Sequence, residues 1–265
     1  MSTRNLKSPT ILAILLALAF SACANTGTAS LPPDVGEVMH GYLNGYLAAD
    51  DRPDSLAILP TPPRAGSAAQ ARDDETARAT FTLSGGERYD RAMQDAVLQF
   101  PAAAERFEQA IGFAVTEETT PWIYHILQRT LTDAGFSAEK AKKHYQRPRP
   151  FMVNGRPMGI PDADEETYRK DGSYPSGHTA AGFVWALVLA ELVPERADEI
   201  IRRGLEFGRS RTVLNVHWQS DVEAGYIMGA ATFARLASNE QFGHDMEMAK
   251  REVLSIRASN AAALR

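Results

Sequence analysis

Three short strips of the chain carry cations, imidazoles and a carboxylate at spacings that suit the handling of a tetrahedral oxyanion. The first is KKHYQRPRP, in which Lys142 and Arg149 stand seven residues apart and Pro150 follows at once. The second is GSYPSGHTAAG, Gly172 to Gly182, in which Ser176, Gly177 and His178 lead into an apolar run. The third is SRTVLNVHWQSD, which supplies Ser210, Arg211, His217 and Asp221.

Each residue type has a physical use in that setting. Arg211 and Arg149 offer planar, forked donors that match phosphate oxygens, and Lys142 adds a point charge. Prolines on both sides of Arg149 stiffen its backbone. Ser176 and the N–H groups of Gly177 and His178 sit at an expected helix N-terminus, where unpaired donors and the positive dipole end favour an anion. Gly177, without a side chain, lets a ligand approach the backbone. His217 and Asp221 are i and i+4, so on a helix they share a face. A carboxylate there can fix the tautomer of the imidazole and leave its other nitrogen as base or nucleophile. Two imidazoles flanking a cation-lined oxyanion suit phosphoryl transfer: one attacks in line and the other, protonated, supplies the leaving oxygen with a proton.

Taken singly, each strip has a plainer reading. PSGH alone is a capped helix start, KKHYQRPRP a solvated basic patch, and His217 beside Trp218 a satisfied core histidine. All three strips together, in order, favour one site. A metal centre built from His144, His178 and His217 is disfavoured, because no tight ligand spacing links them and three nearby cations would repel a divalent ion. His40, His125 and His244 have no comparable context and read as structural. Trp122, Trp185 and Trp218 read as core, with Trp218 also placed to shape a pocket wall. SGG, Ser84 to Gly86, lacks a preceding strand and reads as a turn.

The combination resembles the three-part signature of the type 2 phosphatidic acid phosphatase superfamily: K, six spacers, R-P; then P-S-G-H; then S-R, five spacers, H, three spacers, D. Lys142 with Arg149-Pro150, Pro175 to His178, and Ser210-Arg211 with His217 and Asp221 match every part. The longer forms GSYPSGHT and HWQSDVEAG, and the stretch DSLAILPTPPRAGSAAQARDD, resemble bacterial class A non-specific acid phosphatases in particular. The resemblance implies that His217 is the nucleophile, oriented by Asp221, and that His178 is the acid for the leaving group. It implies that Lys142, Arg149, Ser176, Gly177 and Arg211 hold the phosphoryl oxygens. It implies small phosphomonoesters and inorganic phosphate as ligands, no metal or other cofactor, an all-helical fold and homo-oligomers. A vanadate-dependent haloperoxidase, a lipid phosphatase and a non-catalytic phosphate-binding protein are the competing readings.

The elements that must position these strips read as helices. Apolar spacing predicts helices over Val35–Ala49, Arg88–Phe100, Pro101–Val115, Pro121–Phe136, Ser137–Gln146 and His178–Val193, followed by three amphipathic helices to the C-terminus. Pro101 and Pro121 suit helix starts, and Ser137 suits an N-cap. The proline-rich stretch after Ala49 reads as an extended, ordered loop in which Leu56, Ile58 and Leu59 are buried. Met152–Tyr174 reads as a turn-rich loop over the site. The fold class is all-α: one bundle of mainly antiparallel helices over 34–265, with the site at helix ends.

The chain has 265 residues and a net charge of −5, which argues against a general nucleic-acid binder. Its first residues read as an export signal: Arg4 and Lys7, a short apolar run, then small residues allowing cleavage after Ala24. Residues 1–24 are thus assigned to a signal peptide and 25–33 to a flexible leader, giving a periplasmic or secreted protein. The window Phe20-Ser21-Ala22-Cys23 also resembles a lipobox, in which Cys23, the one cysteine, would carry a lipid anchor. Cleavage after Ala24 would leave a mature chain without cysteine and without disulfides. The run His178–Val193 is too short to span a bilayer comfortably and reads as a core helix.

Overall fold

The computed structural model describes residues 30–160 and 165–263. The expected signal peptide, Cys23 and most of the leader lie outside them. Over the described residues the regular secondary structure is helical apart from one hairpin, β1 (Glu37–Met39) paired antiparallel with β2 (Tyr42–Leu43).

In chain order the helices are α1 (Ser55–Ile58), α2 (Ala68–Thr80), α3 (Glu87–Asp95), α4 (Glu108–Ile111), α5 (Pro121–Ser137) and α6 (Glu139–Tyr145). Then come α7 (Pro150–Val153), α8 (Glu165–Lys170), α9 (Gly177–Leu192), α10 (Ala197–Val213), α11 (Gln219–Leu236) and α12 (Glu240–Ala263). The apolar α9 is the hub, and α5, α10 and α11 pack around it. Its Val184, Trp185, Ala186, Val188 and Leu189 are fully enclosed, as a helix hydrophobic on all sides requires. The Trp185 indole N–H donates to the Leu127 carbonyl of α5 at 2.8 Å, which satisfies the one polar atom of that ring. Small residues let the backbones close up. A Cβ on Gly225 of α11 would lie 2.7 Å from the Ser176 carbonyl, and one on Gly182 of α9 would lie 2.2 Å from the Phe207 ring. The N-terminus of α5 is capped from α12, where Glu252 accepts the N–H groups of Trp122 and Ile123 at 2.8 and 3.1 Å.

Several local expectations are corrected. Val35–Ala49 is the hairpin and a following loop, not a helix. Gly36 and Gly41 adopt φ of 68° and 81°, and the Asp133 carboxylate binds the N–H groups of Tyr46 and Leu47 at 2.8 and 3.0 Å. These tertiary bonds outcompete a helix whose interior would hold three glycines. Within Pro101–Val115 only a 3₁₀ turn (Ala104–Phe107) and α4 form, and Gly112 at φ 88° ends the run. The helix expected to reach Phe100 stops at Asp95, whose carbonyl and carboxylate are claimed by α9 and α10. Ser137 does not cap α6. Its hydroxyl donates to the Ala134 carbonyl, and Ala138 holds the N-cap position. The stretch after Ala49 contains α1, capped by Asp54, and of its three apolar residues Leu59 is buried while Leu56 and Ile58 are exposed. The loop over the site carries α7 and α8, with Pro150 opening α7.

Candidate active site

The three strips meet at the ends of α6, α9, α10 and α11. A cavity of about 400 Å³ is lined there by Lys142, Arg149, Gly177, His178, Arg211 and His217, six of the eight expected residues. Asp171 and Tyr168 line it too, and Val38, Met39, Tyr42, Leu98, Leu131 and Phe136 form its apolar side. Ser176 and Asp221 are fully buried behind this surface. Ser176 is the N-cap of α9, with its Oγ accepting from the N–H and the hydroxyl of Thr179 at 3.2 and 2.9 Å. Its own O–H remains available as a donor.

His217 departs from the expected helical i,i+4 pairing. It precedes Trp218, the N-cap of α11, so the helix holds Asp221 but not His217. The imidazole Nδ1 lies 2.8 Å from the Ser173 carbonyl and 3.5 Å from Asp221 Oδ2. A carbonyl only accepts, so Nδ1 carries the proton. Arg149 Nη1, which only donates, stands 3.1 Å from Nε2, so Nε2 keeps its lone pair. Asp221 is occupied elsewhere: it accepts the Trp218 N–H at 2.8 Å and Arg147 Nη1 at 2.6 Å. Arg147 in turn reaches Asp73 Oδ2 at 2.7 Å through Nη2, and Asp73 accepts the N–H and the hydroxyl of Ser220 at 2.9 and 2.5 Å. A buried Asp73–Arg147–Asp221 chain therefore backs the His217 turn. Burial pushes the Asp221 carboxyl up to about 6, against the opposing pull of Arg147.

His178, in the first turn of α9, stacks on Phe207 with ring centres 5.5 Å apart and planes at 17°. Its Nε2 lies 2.7 Å from the Asp95 carbonyl, which assigns the proton there and leaves Nδ1 to exchange one. The Asp95 carboxylate accepts the Ser210 hydroxyl at 2.6 Å and pairs with Arg203, tying the end of α3 to α10. Burial first, and then Arg211, hold His178 well below the usual histidine range; burial first, and then Arg149, do the same to His217.

The cations differ in how they are held. Arg149 donates through Nε to the Tyr168 and Asp171 carbonyls, through Nη1 to the Val216 carbonyl at 2.9 Å, and through Nη2 to the Asp171 carboxylate at 2.9 Å. Lys142 Nζ donates to the Gly172 carbonyl and to Asp171 Oδ2, both at 2.7 Å. Arg211 is almost fully buried, bonds the Tyr168 hydroxyl through Nη2 at 3.2 Å, and leaves Nε and Nη1 with no partner among the described residues. A buried guanidinium with two orphaned donors is costly unless an anion completes it.

Profile comparison matches residues 124–242 to the PAP2 superfamily. The chain is 39% identical over 213 residues to the non-specific acid phosphatase of Providencia stuartii, covering 80% of this chain and 86% of the relative. It is 40% identical over 209 residues to the non-specific acid phosphatase of Salmonella typhimurium, covering 78% and 83%. It is 39% identical over 206 residues to the acid phosphatase of Zymomonas mobilis, covering 78% of each chain. The chain belongs to the PAP2 superfamily, in the group of bacterial class A acid phosphatases.

Within this class A chain, sequence reasoning found every charged residue of the family motif but missed the groups that hold them. Ser173, Asp95, Asp73, Arg147 and Asp171 act through bonds that cross 22 to 147 positions of sequence. Arg147 and Asp171 did carry a signal: each is a charged neighbour of a motif residue, in RPRP and in KDGSYPSGH. His144 is exposed and outside the cavity lining. Trp122, Trp185 and Trp218 are buried, and Trp218 donates from its indole to the Pro148 carbonyl at 2.8 Å, bracing the Arg149 strip. Among the described residues no three His, Cys, Asp or Glu side chains converge as metal ligands, and no helix is long and apolar enough to cross a membrane.

Proposed function

We propose that this acid phosphatase hydrolyses soluble phosphate monoesters through a phosphohistidine on His217, with His178 as acid and then base and with no metal in the reaction. The observation that carries the reading is that both imidazoles and Arg211 line one cavity, and that Arg211 keeps two buried donors with no partner among the described residues.

The chemistry follows from the tautomers. The Nε2 lone pair of His217 attacks phosphorus in line, while its Nδ1–H stays on the Ser173 carbonyl with Asp221 Oδ2 close by to stabilise the charge on the ring. The P–O bond breaks as His178 transfers its proton to the leaving oxygen. Arg211, Arg149 and Lys142 hold the three equatorial oxygens, whose charge such transition states spread, and Ser176 and the Gly177 N–H add donors at the start of α9. In the second half, His178 takes a proton from water, the oxygen attacks phosphorus, and the N–P electron pair returns to Nε2.

The test is release of phosphate from p-nitrophenyl phosphate with and without EDTA, together with an alkaline quench and mass spectrometry of the peptide bearing His217. Chelator-insensitive turnover with an 80-Da adduct on His217 is expected (about one HPO₃ group). Turnover abolished by EDTA, or an adduct elsewhere, defeats the reading. Export to the periplasm, removal of residues 1–24 or lipidation at Cys23, and homo-oligomerisation complete the proposal. Mass spectrometry of the mature N-terminus and light scattering test these three.

A further inference from the structure

We infer that Asp171 is an internal counter-anion that competes with phosphate for Lys142 and Arg149 and so sets how tightly the site holds substrate and product. This rests on the phosphatase reading above. The Asp171 carboxylate lies at the cavity wall with a single oxygen, Oδ2, 2.7 Å from Lys142 Nζ and 2.9 Å from Arg149 Nη2. Both cations are nearly enclosed, at 8% and 3% exposure, while the Asp171 side chain is 45% exposed.

The donor inventory shows why this position matters. The remaining observed bonds of Arg149 go to backbone carbonyls and to His217 Nε2, and the other observed bond of Lys142 goes to the Gly172 carbonyl. Among the described residues, the one negative group bonded to either cation is therefore Asp171. A phosphoryl oxygen seeking Lys142 and Arg149 meets donors already serving a carboxylate, whereas Arg211, which lines the same cavity, has two buried donors with no partner among the described residues. The geometry gives an order of events: the anion lands on Arg211, then displaces the half-exposed carboxylate, and Asp171 returns as phosphate leaves. Three desolvated cations with no such competitor would bind a dianionic product strongly and slow its release.

The experiment compares wild type with Asp171→Asn, measuring KM and kcat for p-nitrophenyl phosphate, the competitive inhibition constant of inorganic phosphate, and phosphate binding by calorimetry. Asn keeps the size and removes the charge. The expected result is a roughly tenfold tighter inhibition constant and calorimetric Kd, equivalent to about 1.4 kcal/mol, with a lower KM and a lower kcat from slowed release. An unchanged or weaker phosphate affinity overturns the proposal and makes Asp171 a positioning residue for the cations. Should Asp171→Asn fail to fold, Asp171→Ser carries the same measurement. Wild-type protein that neither hydrolyses the ester nor binds phosphate would defeat the phosphatase reading instead, which keeps the two failures apart.

Discussion

Arg149 Nη1 stands 3.1 Å from His217 Nε2, and this contact fixes which nitrogen of His217 is free to attack. It also keeps a positive charge against a ring that, in the proposed mechanism, must be neutral to act as the nucleophile. Replacing His217 with Ala removes the attacking atom and leaves the cations. We expect kcat to fall by at least about 10⁴-fold, with residual binding of phosphate, since loss of a nucleophile in comparable sites leaves only the contribution of the oxyanion donors. Steady-state kinetics and calorimetry on the same sample check both halves.

The pH profile follows from the two depressed imidazoles. In the free enzyme near pH 7 both rings are neutral, because burial and the arginines disfavour their charged forms. His178 gains the proton it needs only as pH falls well below the ordinary histidine range, so kcat/KM should rise there and decline again once His217 also protonates. A bound phosphoryl group supplies negative charge beside His178, so the alkaline limb of kcat should lie at higher pH than that of kcat/KM. An alkaline optimum in either parameter contradicts this.

Arg147 should matter for stability more than for chemistry. It bridges Asp73 and Asp221 at 2.7 and 2.6 Å, with all three side chains at or below 6% exposure. Arg147→Met strands two buried carboxylates, a change expected to cost about 3–5 kcal/mol. In a domain of this size that lowers Tm by roughly 10 °C. Calorimetry of the variant tests the loss, and Arg147→Lys should recover part of it.

Arg211 should show the opposite sign. Its Nε and Nη1 are buried without partners among the described residues, so Arg211→Met should raise the stability of the ligand-free protein by about 1–3 kcal/mol. Saturating phosphate should stabilise wild type by about 2.7 kcal/mol at a hundredfold excess over Kd, and should do nothing for the variant. Melting curves with and without phosphate read both effects.

The sequence alone determined the candidate site residues and the helices that carry them. The residues Lys142, Arg149, Ser176, Gly177, His178, Arg211, His217 and Asp221 occur at fixed local spacings, and α5, α9, α10, α11 and α12 follow from apolar periodicity over long runs. Tertiary structure alone decided the rest. The i,i+4 spacing suggested that Asp221 binds the His217 ring directly, yet a helix start falls between them and the Ser173 carbonyl takes the nearer place. The N-terminal hairpin replaces a helix because Asp133, some 86 positions away, captures the backbone N–H groups of Tyr46 and Leu47. Local spacing encodes what one turn of helix can hold together, and it is blind to a carboxylate or carbonyl delivered by a distant segment. Those long-range partners set tautomer and charge in this cavity, which is why they became visible only once the helices had packed.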